Sequence, residues 1–256
     1  MALWRTLGVL AVAALCGGAC GGSAEEAGDA SEAHWDSEDG NPTHATHSYM
    51  AEYAISSMTG AFPEVAQYRA AIVKGANLEL HELPTTDAYY DAVRIEIGGN
   101  NWAADHPEKL WDKAVTAYRA GNKEQAYTYV GIILHYVQDM GVPAHAFHVI
   151  HQSSFGKWDN IEVLAFFDFH ADMKTLAPSD PSFESPLDYI EWSGEDARNH
   201  WNTAFPGQKY TRTSIPQAYK DLSDEQWTFL RTREAHATMA NVFALRRAAT
   251  LLAKPR

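Results

Sequence analysis

NKEQAYTYVGIILHYVQDMGVPAH, from Asn122 to His145, decides the fold. Its apolar residues recur at helical spacing, Asn122 can cap the start with Gln125 at the capping-box position, and Gly141 and Pro143 mark the end. A helix this apolar is expected at the centre of its domain. The same period runs outward on both sides. Upstream, THATHSYMAEYAISSM stops at Gly60, PEVAQYRAAIVKG opens on Pro63 and stops at Gly75, and HPEKLWDKAVTAYRAG stops at Gly121. Downstream, DNIEVLAFFDFHADM, SPLDYIEWSGEDARNHWNTAF and a last stretch from about Ser223 to Ala253 are helical by spacing. DAVRIEI is ambiguous, and no repeat occurs at a fixed period. The expected class is all-α, a single-domain multi-helix bundle.

Composition narrows the partners. The chain has 256 residues, 46% of them hydrophobic, enough for one large core. A formal charge of −13 without a basic run argues against attraction to nucleic acid or anionic lipid. The opening MALWRTLGVLAVAALCGGACGG has one arginine, a short apolar run and then small residues, so residues 1–20 read as a secretion signal. The run is too short to span a bilayer comfortably, and no transmembrane segment is expected in the mature protein. The only cysteines, Cys16 and Cys20, lie in this opening. Cys20, followed by Gly21, Gly22 and Ser23, resembles a bacterial lipoprotein processing site, although Gly17 stands where such sites prefer leucine. The expected location is outside the cytoplasm of a bacterium, secreted or held on the cell envelope as a lipoprotein. Residues 21–40, small and acidic, read as a tether or pro-segment, and the domain proper as 41–256.

Twelve histidines are many, and five lie in two groups: His44 and His47, then His145, His148 and His151. His135 and Asp139, four residues apart, project from one face of the central helix. The glycine and proline that break that helix would turn His145 back toward them. A satisfied core histidine bonded to a carboxylate and a shared cation are both open from this pair alone. Two other helices add to it. His47 lies on the apolar face of its helix with Met50, Ala51 and Ala54, and Glu162 has the apolar neighbours Ile161, Val163 and Leu164. Imidazoles and carboxylates without thiolate suit zinc, and less specifically manganese or iron.

Taken together, HSYMAEYAISSM, then AYRAGNKEQAYTYVGIILHYVQDMGVPAH, then WDNIE resemble the bacterial zinc-dependent phospholipase C family, which shares an all-α fold with the S1/P1 single-strand nucleases. The resemblance runs in order from about Trp35 to Phe169. It implies a cleft between helices holding zinc, three ions in the family. His47 would serve the ion that also uses an amino-terminal tryptophan, for which Trp35 stands close to the family spacing. Asp139 would bridge to the next ion, bound also by His135, and His145 and Glu162 would bind the last. It further implies hydrolysis of phospholipid phosphodiesters at a membrane surface, with a phosphatidylcholine-like substrate and metal-activated water. The alternatives are a nuclease of the same fold and a non-catalytic metal-binding surface lipoprotein.

Departures from the family pattern bear on the number of ions. Trp158 stands where the family has a histidine four before the late glutamate; Asp159 is the preferred substitute, with His148 and His151 as rivals. For the family's aspartate ahead of the central helix, Glu79 is offered as a ligand or general base, with His81 and Glu82 as rivals; His106 is a candidate for its histidine. Two or three zinc ions are expected. His44 is a fallback for His47. His170 and His200 read as structural, and His236, Arg246 and Arg247 as solvated or core-edge groups.

Overall fold

The structure is a computed structural model, and it describes residues 46–77, 102–147, 176–207 and 222–254. These fall within one unit, Glu32–Arg256. The elements are α1 (Thr46–Ser56), α2 (Pro63–Gln67), α3 (Arg69–Ala76), α4 (Trp102–Arg119), α5 (Lys123–Asp139), α6 (Pro143–Ala146), α7 (Asp188–Ala204) and α8 (Asp224–Leu252). No strand occurs among the described residues, and the expected all-α class holds. DAVRIEI and DNIEVLAFFDFHADM lie outside them.

Helix α5 is the hub that its composition predicts. It packs against α3, α4, α8, α7 and α1, and every residue from Val130 to Asp139 is buried. At the other end, Gly121 stops α4 in the left-handed region at φ 82°. Gly121 N–H donates to Tyr118 O at 3.0 Å and Asn122 N–H to Ala117 O at 2.9 Å, the paired bonds that satisfy otherwise orphaned terminal carbonyls. Asn122 then caps α5, its Oδ1 accepting from Gln125 N–H. One residue thus closes one helix and opens the next. Ser223 opens α8 with a full capping box: its Oγ accepts from Gln226 N–H at 3.3 Å and its N–H donates to Gln226 Oε1 at 3.0 Å.

Two boundaries differ from the expectation. The helix read from Pro63 to Gly75 is broken at Tyr68, where φ is −102° and ψ 22°. The Tyr68 ring stacks on Tyr127 of α5 at 5.2 Å, and Glu64 of α2 pairs with Lys123 and accepts from Tyr127 Oη. Each half is therefore anchored to α5 by its own contacts, and tertiary packing overrides local periodicity. Helix α4 starts at Trp102, ahead of Pro107, whose missing N–H leaves one intrahelical bond unmade.

Apolar burial forms two clusters. The larger draws Ile55 from α1, Ile72 from α3, Leu110 from α4, Ile133 from α5 and Phe243 from α8. The smaller gathers Met50, Val142, Trp201, Phe205, Phe229 and Ala237. Met50 and Val142 lie three residues beyond His47 and Asp139, so polar groups of interest sit directly beside packed core.

Candidate metal centre

Three buried side chains from two helices far apart in sequence meet: His47 of α1, and His135 and Asp139 of α5. Their ligand atoms all lie within 4.8 Å of one another. His47 Nε2 is 3.5 Å from Asp139 Oδ1, and His135 Nε2 is 3.3 Å from Asp139 Oδ2. The two imidazoles stack with centroids 4.3 Å apart and planes at 26°. Met50, Ala51 and Ala54, which share the His47 face, are 0% exposed, so packing of α1 holds the imidazole inward.

The outer nitrogens show what the inner ones can do. His135 Nδ1 lies 2.9 Å from Ala76 O. Ala76 is the last residue of α3, so its carbonyl is one of those a helix end leaves without an intrahelical donor. A carbonyl only accepts, so His135 carries a proton on Nδ1 and a neutral ring turns the Nε2 lone pair to Asp139. His47 Nδ1 is likewise hydrogen-bonded to Gln138 Oε1. Burial, then the neighbouring His135 imidazole, pushes His47 down to about 4 against the pull of Asp139, so it is neutral at pH 7. For Asp139, burial opposes ionisation, but His135, His145 and His47 hold the carboxyl below its usual range.

The result is a buried carboxylate beside two imidazoles, a donor set that a cation could join. The separations are longer than the about 2.7–2.9 Å of the strongest charge-assisted hydrogen bonds, although His135 still reaches Asp139 as a long hydrogen bond. They fit the edge of a ligand tetrahedron around an ion bonded at about 2.0 Å, which is about 3.3 Å. The group His47, His135 and Asp139 could hold a metal ion.

No family model, curated protein or solved structure matches this chain.

His145 is carried by α6, which starts at Pro143 just after α5 ends. It is half-buried and near enough to couple electrostatically to both His47 and Asp139. Arg198 of α7 donates from Nη1 to Ala146 O at 2.9 Å and so ties down the end of that turn. Glu162, Asp159, Glu79 and Trp35 lie outside the described residues, as do His44, His81, Glu82, His148, His151, Trp158, His170 and Cys20.

A second polar group went unread in the sequence. Asp196 of α7 pairs with Arg233 of α8, lies 3.3 Å from His200 Nδ1, and lies 3.8 Å from His236 Nε2. His236, expected as a solvated or core-edge group, is buried at 7% exposure against the Trp192 ring, 4.0 Å away. The surface expectation holds for Arg246 and Arg247, which reach Asp180 and Glu184. Burial, then the Arg233 and His200 charges, pushes His236 down to about 3. An unfolded histidine titrates near its ordinary value of 6.5, so this group's contribution is fully present above that pH and is lost as pH falls toward 3. Between pH 7.5 and 5 the loss is about 2 kcal/mol. We expect His236→Phe to flatten the fall in stability across that interval by about this amount, measured by urea unfolding. An unchanged slope would exclude the histidine as its source.

Proposed function

We propose that the protein is an exported zinc-dependent phosphodiesterase of the phospholipase C type. One observation carries this reading. His47 and the His135–Asp139 pair, 88 positions apart in sequence, meet with both Nε2 atoms toward the carboxylate, the meeting that the resemblance implies. Two imidazoles and a carboxylate without thiolate fit zinc. A zinc ion held there supplies Lewis acidity to a phosphodiester and lowers the pKa of water.

The chain's own residues have definite parts in this reading. His47 and His135 provide neutral donors whose outer N–H groups are already engaged, so neither ring must reorient to bind. Asp139 supplies the negative charge and presents one oxygen to each imidazole. In this reading His145, on its own short helix, serves a neighbouring ion. Two or three ions are proposed, with Glu162, and Asp159 in place of the family's histidine, completing the set.

Zinc per chain by elemental analysis, with choline-phosphate release from phosphatidylcholine vesicles and nucleotide release from denatured DNA, tests the proposal. We expect at least two ions and choline-phosphate release. Rapid DNA degradation with lipid untouched would move the assignment to a nuclease. Fewer than two ions and no phosphodiesterase activity after zinc addition would leave a non-catalytic metal-binding protein.

A further inference from the structure

Gln138 and Asn241 are both 0% exposed, one on α5 beside Asp139 and the other on α8, between the buried apolar residues Val137 and Met140 and the buried apolar residues Ala240 and Val242. Buried amides in such surroundings must be fully partnered. Asn241 Nδ2 donates to Ala237 O at 2.9 Å, and Asn241 Oδ1 accepts from Gln138 Nε2 at 3.1 Å. The second Gln138 Nε2 hydrogen goes to His47 O at 3.3 Å. Gln138 Oε1 is then left to face His47 Nδ1.

The direction of this chain is set by its ends. Ala237 O and His47 O are backbone carbonyls and can only accept. Ala237 O obliges Asn241 to turn its nitrogen inward along α8 and its oxygen to Gln138. Asn241 Oδ1 and His47 O together oblige Gln138 to present nitrogen to both, and its oxygen to the imidazole. A glutamine oxygen cannot donate, so the His47 proton must sit on Nδ1. Asp139 pulls the other way, because a proton on Nε2 could be donated to its Oδ1, 3.5 Å off.

We propose that Asn241 and Gln138 form a positioning relay that fixes the His47 tautomer, keeping the Nε2 lone pair turned to Asp139 and available to a divalent cation. It rests on the metal reading of the triad, but its first readout needs no metal. When Asn241 is replaced by leucine, Gln138 keeps only the long contact to His47 O. Its amide can then turn over and donate to His47 Nδ1, and the imidazole proton moves to Nε2, where it blocks the position a cation needs.

The experiment uses the full chain stripped of metal by chelation and labelled with ¹⁵N-histidine, with the His47 signals assigned by their loss in His47→Gln. Long-range ¹H–¹⁵N spectra report which ring nitrogen holds the proton. We expect Nδ1–H in the parent protein, and an Nε2–H population in Asn241→Leu and in Gln138→Met. Zinc titration should follow, with affinity about 10- to 100-fold weaker in both variants. Circular dichroism identifies any variant that fails to fold, and the other of the pair then decides. Nδ1–H retained in both Asn241→Leu and Gln138→Met overturns the relay. A tautomer that switches in a parent protein that binds no zinc supports the relay and overturns the metal reading instead.

Discussion

Asp139→Asn is expected to lower divalent-cation affinity by at least about 100-fold while leaving the stability of the metal-free fold within about 1 kcal/mol of the parent. The two halves of this expectation separate a metal centre from a buried ion pair. If Asp139 served only to pair with an imidazolium, removing its charge would strand a buried cation and cost about 3–5 kcal/mol. Here His47 is already neutral, and the hydrogen bond from His135 Nδ1 to Ala76 O turns the His135 Nε2 lone pair toward position 139. The asparagine amide, nearly the same shape, can then donate into an imidazole Nε2. What vanishes is the negative charge to which a cation binds. Isothermal titration with zinc and urea unfolding of the chelated protein measure the two quantities. Asp139 Oδ1 and Oδ2 face different histidines, so under the proposed function loss of the carboxylate should also reduce bound metal and the proposed phosphodiesterase activity further than His47→Ala. Equal residual rates would count against a bridging role, and a large loss of metal-free stability would return the triad to a structural pair.

How far the sequence discloses this centre depends on the kind of signal. Caps are local chemistry, so Asn122 and Ser223 were readable where they stand. The all-apolar run before His135 announced a central helix for the same reason. Breaks imposed by partners were not readable. Tyr68 interrupts a continuous helical pattern because its ring docks on Tyr127, and nothing within PEVAQYRAAIVKG indicates that contact. For the triad, helical spacing joined His135 to Asp139, but only the face shared with Met50, Ala51 and Ala54, and a resemblance, pointed His47 toward them.

Two sets of residues were missed although signals existed. Gln138 interrupts the run YVGIILHYV and Asn241 sits within ATMANVFAL, and a lone amide in an apolar helix needs a buried partner. Asp196 and His200 are separated by four, the same interval as His135 and Asp139, and Arg233 and His236 by three. Each pair is half of the group that Asp196 assembles. Spacing gives the half that lies on one helix; the other half exists only once α7 and α8 pack together.

Gly131→Ala should be among the most destabilising single-methyl changes in the described part of the chain, and it should reach the candidate metal centre without touching it. An added Cβ would fall 2.2 Å from Ile72 O, 2.9 Å from Gly75 Cα and 3.0 Å from Ala76 N. All three are backbone atoms of α3, so no side chain can swing aside and the helix itself must retreat. Better helix propensity returns about 1 kcal/mol. Overpacking against immovable atoms costs about 3 kcal/mol or more, so a net loss of about 2 kcal/mol or more is expected in urea unfolding. Gly75→Ala meets Thr128 O at 2.2 Å from the opposite side and should behave alike. Once either methyl has driven α3 and α5 apart, the second enters space already opened, so the double variant should cost clearly less than the sum. Gly60→Ala, with nothing within 4 Å of its Cβ, is the control and should be near neutral. The distant consequence follows from the carbonyl of Ala76, which ends α3 and accepts from His135. Moving α3 withdraws that acceptor, loosens the imidazole that it orients, and should weaken zinc binding in Gly131→Ala protein that is still folded. Unchanged zinc affinity beside a large loss of stability would show that His135 keeps its orientation without α3.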